Sequence, residues 1–440
     1  MRQPRKPPDL APLFSRRQDE IAQAVGDKVY RRFTQTAQDR YEHWEKLRHR
    51  ATAKGLDAEL AWAIVKARRT FNAKPLSLAD KSGDPLTYWL SDAAQHELMM
   101  IDRELAGNVP GQASSVIPDA EREHYIRRSL TEEAIASSLL EGAATTRVDA
   151  KRMLQEGRSP RNAGEQMVAN NYNAMLFIRD HLDTDLSDGF VHELHEIITH
   201  DTMPKEQVGR WRRANEDVAV YDDRDNELMH EPPQAEDLPK RMKKLYRFAN
   251  RRPEKASSFL HPVVQAIAVH FQFGYEHPYC DGNGRVARAL FYWLTLRSGY
   301  WLFEYLPIST ILRKAAVRYS RSYLYTEHDG FDLGYFLTYQ LEVAARAREE
   351  LAAYLERQAE KRREADKATD NDPRLNSRQR MLVRRLMNSH DPSIDIATHQ
   401  KRERVSYPTA RADLMRLEEN GYLRSDKAGR KLIFHLIKKR

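Results

Sequence analysis

The sequence predicts a mainly α-helical fold in two to three domains. Three observations carry that prediction. Apolar residues recur at spacings of three and four along most of the chain, the pattern of amphipathic helices. Hairpin signals are confined to one central stretch and one near the C-terminus. At 440 residues and 41% apolar content, the chain is long enough for two or three domains and rich enough to fill their cores.

The elements follow in order. The N-terminus, MRQPRKPPDLAPLF, has basic residues with no apolar run behind them, so it does not read as a secretory signal. A flexible basic arm is expected instead. Residues 19–70 are polar and Ala-rich, with Ile21, Val25 and Val29, then Leu60 and Ile64, at helical spacing. Pro75, Gly83, Pro85 and several Ser and Asp between 71 and 90 predict a loop and a boundary, which leaves 1–90 as a helical region without an assigned role. A second loop is expected at 107–121, GNVPGQASSVIPDAE.

Helical patterns then run from 122 to about 356, inside a domain bounded at 91 and 356. The exception is EDVAVYDDRDNELMHEPP, 216–233, where VAV and ELM flank a turn-rich DDRDN. This predicts a β-hairpin ended by Pro232 and Pro233. A charged, Ala-rich stretch at 340–366 predicts a long solvated helix. Residues 357–373, closing on TDNDP, are expected to link it to a last domain at 374–440.

Composition narrows the function classes. No window approaches the roughly 18 apolar residues of a membrane helix, so no membrane partner is expected. Cys280 is the only cysteine, which excludes an intrachain disulfide and a cysteine-based zinc site and makes a cytoplasmic protein the simplest reading. The net charge of +8 is uneven: residues 371–440 hold 17 Lys and Arg against 8 Asp and Glu, while the rest holds 55 against 56. Any nucleic-acid reading therefore belongs to the C-terminal residues.

The chemistry concentrates in HPYCDGNGRVAR, 277–288. Before it, Val264, Ile267, Ala268 and Phe271 form one apolar helix face; after it, Ala287, Leu290, Phe291 and Leu294 form another. Pro278 disfavours helix at the residue before it, so the first helix ends near His277. The turn then delivers free backbone N–H groups at the start of the second helix, where the dipole favours an anion. Gly282 and Gly284 permit close approach of a phosphate. Arg285 and Arg288 lie three apart, on roughly one face, and oppose the dipole unless an anion sits between them. Asp281 offers a hard oxygen for Mg²⁺, and His277 can act as a base near neutral pH. Each residue alone reads as part of a hydrophilic turn with an N-cap Asn; the combination reads as a site.

This stretch resembles the signature of the Fic family, His-Pro-Phe-x-Asp/Glu-Gly-Asn-Gly-Arg-x-x-Arg, and departs from it at Tyr279, where Phe is usual. The Tyr279 hydroxyl needs a partner if buried. The resemblance implies transfer of AMP from ATP to a Ser, Thr or Tyr hydroxyl of a target protein. It implies that His277 is the base, that Asp281 holds Mg²⁺, and that Gly282, Asn283 and Gly284 cradle phosphates. Arg285 would steady the phosphates and Arg288 would reach the γ-phosphate.

Upstream, IASSLLEGAATT, 135–146, places Ser137 and Glu141 four apart, on one helix face that Gly142 can end. It resembles the Fic inhibitory motif, Ser/Thr-x-x-x-Glu-Gly/Asn. The resemblance implies an inhibitory helix near 131–142, as in class II members, with Glu141 on Arg288 in place of the γ-phosphate and low basal activity. In other members the same Glu supports removal of AMP. GRWRR, 209–213, resembles the segment preceding the family's hairpin flap, and the hairpin at about 217–231 resembles that flap, which pairs with an extended target segment. Homodimers occur in the family, so a homodimer is a further expectation.

DIATHQKRERVSYPTARADLMRLEENGYL, 395–423, reads as helix, turn, helix, with Ser406 as N-cap, Pro408 in the first turn, Leu414 and Leu417 in the core and Gly421 at the C-cap. RSDKAGRKLIFHLI follows as a hairpin turning at Lys427, Gly429 and Arg430, and a helix at 376–389 completes the unit. This resembles a winged helix-turn-helix domain. Arg411 and Arg416 on its second helix, with Lys401, Arg402 and Arg404 before it, are candidate DNA contacts. Asp413, Glu418 and Glu419 on the same helix argue for a protein contact instead.

The leading expectation is a self-inhibited protein adenylyltransferase with ATP as substrate. The alternatives are a DNA-binding transcriptional regulator whose Fic core senses a nucleotide, and a Fic transferase that uses UTP, GTP or CDP-choline.

Overall fold

The computed structural model describes residues 3–106, 119–222, 226–252, 258–370, 372–388, 392–428 and 431–437. It divides into two compact units, Met1–Arg348 and Glu349–Arg440.

The first unit opens with four helices: α1 (Leu10–Gly26), α2 (Lys28–Asp39), α3 (Trp44–Thr52) and α4 (Ala58–Asn72). Asp27 and Asp57 cap α2 and α4 by accepting two backbone N–H groups each. Trp62, Val65, Phe33 and Leu47 fill one small core, and Leu13, Ile21 and Leu60 fill another. The segment before α1 is docked rather than free over its described residues. The Trp62 indole donates to the Pro8 carbonyl, and the Gln3 amide donates to the Leu228 carbonyl.

The loop expected at 71–90 is instead a hairpin, β1 (Lys74–Ala79) and β2 (Pro85–Tyr88). Leu86 and Tyr88 alternate into the core with Leu78, and both prolines sit where a ladder donor is not required. Region 1–90 is tied to the rest of its unit through buried polar groups. The Arg69 guanidinium donates to the Tyr335 hydroxyl and lies over the Tyr41 ring, while Lys66 pairs with Asp329 at 2.8 Å.

After α5 (Asp92–Leu105), the second predicted loop lies outside the described residues up to 118; its last three residues begin α6 (Asp119–Leu140). Then come α7 (Arg147–Glu156), α8 (Ala163–Asp180), α9 (Asp188–Thr199), a small hairpin of β3 (Val220–Tyr221) and β4 (Leu228–His230), and α10 (Leu238–Ala249). The hairpin is antiparallel with a bulge, and its tip at 223–225 lies outside the described residues. The centre is α11 (Pro262–Glu276) against α12 (Asn283–Arg297). The four-residue apolar face read for α11 is an underestimate: from Val263 to Phe273 every residue is buried, so the helix is covered on all sides. Around this pair lie α13 (Ile308–Lys314), α14 (Ala316–His328) and the start of α15 (Gly334–Asp370).

The expected linker at 357–373 is helical to Asp370, because Ala, Glu, Lys, Arg and Gln propagate helix and no Gly or Pro interrupts them before Pro373. In the second unit, α16 (Ser377–Asn388), β5 (Ser393–Asp395), α17 (Ile396–Glu403) and α18 (Tyr407–Glu419) precede β6 (Leu423–Ala428) and β7 (Lys431–Leu436). The strands form an antiparallel sheet in the order β5-β7-β6. Leu382, Leu414, Leu417 and Phe434 fill its core. Gly429 and Arg430, the expected turn residues, lie outside the described residues. No described helix is long and apolar enough to cross a membrane.

Candidate functional site

The 277–288 turn joins the two central helices. His277 ends α11 in the left-handed region at φ 45°, where its N–H still reaches the Phe273 carbonyl. Its ring Nδ1 lies 3.2 Å from the Gly274 carbonyl oxygen. An oxygen there accepts only, so Nδ1 carries the proton and Nε2 keeps its lone pair. Burial pushes the His277 pKa down to about 4, with help from the neighbouring His230 and Arg212 charges. The ring is therefore neutral at pH 7.

The Tyr279 hydroxyl, completely buried, has a partner: the His192 ring nitrogen Nδ1 at 2.9 Å. The Tyr279 ring stacks on His195 with centroids 3.6 Å apart. His195 Nδ1 accepts the Gly209 N–H, so its Nε2–H donates to the Asp281 carbonyl at 3.0 Å. Burial holds the His195 pKa near 4, which keeps the ring in this neutral form.

Asn283 departs from the sequence reading. It is not the N-cap, which is Gly282 at φ 81° with no side chain capping the helix. The Asn283 amide instead clips both ends of one peptide residue: Oδ1 accepts the Tyr279 N–H and Nδ2 donates to the Tyr279 carbonyl. Only its backbone is left to face an anion. The N-terminus of α12 is thus free of side-chain caps, as an anion site requires.

The two arginines diverge rather than share a face. Arg285, 1% exposed, donates to the Ile198 carbonyl at the end of α9 and to Asp281 at 3.2 Å. Arg288 turns the other way, to α6. Its Nη1 is 2.9 Å from Glu141 Oε1, its Nε donates to the Ser137 hydroxyl at 2.9 Å, and its Nη2 donates to the Ser137 carbonyl. That carbonyl belongs to the last turn of α6, where carbonyls lack helical partners and a cation suits the dipole. A Cβ on Gly284 would stand 2.4 Å from Glu141 Oε1, so only glycine lets the carboxylate rest on the start of α12.

His277, Gly284, Arg288 and Glu141 line one cleft of about 330 Å³. Val220, Tyr221, Met229 and His230 of the hairpin form one wall, and Tyr319 and Tyr323 of α14 form another. Asp281 sits at the turn with its side chain 58% exposed and accepts the Gly282 N–H. Among the described residues no three His, Cys, Asp or Glu gather as a metal cluster. A lone exposed carboxylate still fits Mg²⁺, which takes one or two carboxylates and completes its shell with phosphates and water.

Residue-by-residue reading missed the support around this loop. Arg212 Nε donates to the His277 carbonyl at 2.9 Å, and its own N–H donates to Pro278. His192 and His195 brace Tyr279; their spacing of three in HELHE was the available signal. The five basic residues assigned to the second unit, Lys401, Arg402, Arg404, Arg411 and Arg416, are all exposed. Asp413 is not on that surface: it is buried against Arg378 at 2.9 Å, with Asn376 and His399.

Comparison with known proteins adds to this geometry. Residues 185–295 match the Fic/DOC family. The chain is 30% identical over 193 residues to the protein adenylyltransferase Fic of Drosophila persimilis, covering 43% of this chain and 35% of that protein. It is 31% identical over 193 residues to the corresponding protein of Drosophila virilis, covering 43% of this chain and 36% of that protein. It spans about a third of the length of these relatives. The crystal structure of a Fic family protein from Desulfovibrio desulfuricans G20 superimposes with a TM-score of 0.52 at 20% identity, over 80% of this chain and 98% of that one, and shares its fold. Residues 185–295 form a Fic/DOC domain, and the predicted mainly helical fold stands.

Proposed function

We propose that the protein transfers AMP from ATP to a hydroxyl of a protein target and that Glu141 restrains it. The observation that carries this reading is the cleft shared by His277 and the uncapped start of α12, with His277 Nδ1 tied off on Gly274 and Nε2 free. A target hydroxyl that reaches Nε2 gives up its proton there. Its oxygen forms a bond to the α-phosphorus as the bond to pyrophosphate breaks. The turn at Gly282, Asn283 and Gly284, with the N–H groups of Asn283 and Gly284 and the dipole of α12, suits the charge on the phosphates, while the Gly282 N–H is held by Asp281. Asp281 would hold Mg²⁺, which supplies charge neutralisation when bound; Arg285, already on that carboxylate, would share it. Transfer of this kind rests on positioning and electrostatics more than on covalent chemistry.

Glu141 occupies the guanidinium that the γ-phosphate would need, which supports a resting state of low activity. The hairpin wall beside His277 supports an extended target segment laid along β3 or β4. The test uses labelled ATP and Mg²⁺ with wild type, Glu141→Gly and His277→Ala in a cell lysate. Label should rise in the first variant and vanish in the second, and the mass added to the target reads which nucleotide was used. No label from either wild type or Glu141→Gly sinks the reading.

A second reading concerns residues 349–440. Their helix–strand–helix–helix–strand–strand order supports a winged helix, and its five exposed cations pair with no described carboxylate. That surface supports DNA binding. Operator-specific binding together with no transfer by Glu141→Gly would favour a regulator over an enzyme.

A further inference from the structure

The cleft holds a second histidine that the transfer chemistry leaves unused. His230 ends β4, is 8% exposed and lines the cleft with His277. Its Nδ1 is 2.7 Å from Glu327 Oε2 on α14, and its Nε2 is 2.8 Å from the Tyr275 carbonyl on α11. Both partners are acceptors. A neutral imidazole has one N–H and would set a lone pair against one of these oxygens. Only the imidazolium donates to both. Burial, the largest single influence, favours the neutral ring, but the bond and charge of Glu327 together with the Tyr275 carbonyl outweigh it and move the His230 pKa up.

We infer that His230 is a positioning residue for the base: as an imidazolium it bolts the hairpin to the C-terminus of α11 and sets a like charge beside His277 that disfavours its protonation. This rests on reading the cleft as the transfer site. The first link is geometric. Tyr275 is two residues before His277, and its carbonyl lies in the last turn of α11, where a cation satisfies an orphan acceptor and suits the dipole. The hairpin wall and the base loop therefore move together. The second link is charge. A like charge nearby disfavours protonation of His277.

The surroundings set the size of the effect. His230 faces Glu327 from α14 and Tyr275 from α11. It also faces Lys81, from the turn after β1, which pairs with Glu231 at 2.6 Å. His277 faces Glu141, which favours its protonation, and Arg212, which opposes it. Because Glu327 offsets part of the His230 charge, removing that charge should raise the His277 pKa by roughly half a unit to one unit.

The experiment labels the histidine ring nitrogens of the full chain with ¹⁵N and follows them by NMR across pH in wild type, His230→Gln and Glu327→Gln. In wild type, both His230 nitrogens should carry protons at neutral pH. In Glu327→Gln the His230 ring should be neutral, and in both variants His277 should take up its proton at higher pH. In the Glu141→Gly background, the acid limb of labelling should move up by the same amount. A neutral His230 in wild type, or a His277 titration unmoved in either folded variant, overturns the inference. The ring signals require no turnover, so failure to transfer AMP would refute the proposed reaction and leave this result to be read separately. Glu327→Gln keeps the shape of the site and carries the same readout if His230→Gln does not fold.

Discussion

Replacing Glu141 by Gln keeps the size of the side chain and deletes its charge. In the resting structure that charge sits 2.9 Å from Arg288, whose side chain is 3% exposed, while Glu141 is 27% exposed. Two unit charges about 4 Å apart attract by about 4 kcal/mol at an effective dielectric of 20. Partial exposure and desolvation of the carboxylate leave about half, so the pair holds Arg288 by about 2 kcal/mol. On the proposed reaction, ATP must displace Glu141 to place a phosphate on that guanidinium. Removing the competitor should therefore tighten ATP binding by about 30-fold, since about 1.4 kcal/mol is a factor of ten.

The same substitution should act on stability with the opposite sign. Without nucleotide, Arg288 keeps the Ser137 hydroxyl and carbonyl and the neighbouring Tyr319 hydroxyl, but this buried cation loses its nearest counter-charge. Titration calorimetry with ATP and Mg²⁺, paired with thermal melts, reads both effects. We expect the ligand-free variant to melt a few degrees below wild type and the ATP-bound variant to melt above ATP-treated wild type. Transfer of label should rise in step with occupancy. If Glu141→Gln binds ATP within twofold of wild type, or if its ligand-free form is the more stable one, Glu141 does not hold Arg288 against the nucleotide and the argument fails.

Three further outcomes follow from the structure. Asn283→Ala removes both hydrogen bonds to Tyr279 and leaves two buried backbone groups unpaired, so chemical denaturation should show a loss of roughly 2–4 kcal/mol; a loss under 1 kcal/mol would mean that the clip is dispensable. Burial holds His43, His195 and His270 at about 2, 4 and 3, below their unfolded values, so the unfolded state binds more protons as pH falls. Their contribution is complete above about pH 6.5 and should fade on acidification by roughly 2 kcal/mol each by pH 5, whereas His230, shifted up, works in the opposite sense. Melting temperature measured from pH 7 down to pH 5 should decline, and a flat profile would contradict the burial of these rings. For residues 349–440, duplex DNA binding by the full chain should weaken steeply with salt, and Arg411→Ala with Arg416→Ala should reduce both affinity and the salt slope; unchanged binding would move the contact off that helix.

How much of this was legible in the sequence depends on how locally each feature is encoded. Helices were legible because α1 to α4 and α10 to α15 repeat apolar residues at helical spacing, a property of neighbours along the chain. The β1–β2 hairpin was not, because its proline- and serine-rich segment carries turn chemistry, while only Leu78, Leu86 and Tyr88 mark a buried face. The 277–288 turn was legible as a unit, yet three of its residues sit differently in detail. Asn283 looked like a cap or cradle, but its amide is spent on Tyr279. Arg285 and Arg288 looked like a pair, but each follows whichever helix end offers it carbonyls: Ile198 on α9 for one, Ser137 on α6 for the other. Those carbonyls come from segments 87 and 151 residues away, so spacing within the motif cannot report them. Glu141 was reachable only through the resemblance of a short upstream motif, since nothing local says that its carboxylate meets Arg288. Gly284 joins the two scales. Its lack of a side chain serves close approach at the start of α12, and in this structure what approaches is Glu141. On the proposed reaction, the space that would admit a phosphate is the same space that admits the carboxylate, which is why one substitution at residue 141 should change nucleotide affinity and resting stability in opposite directions.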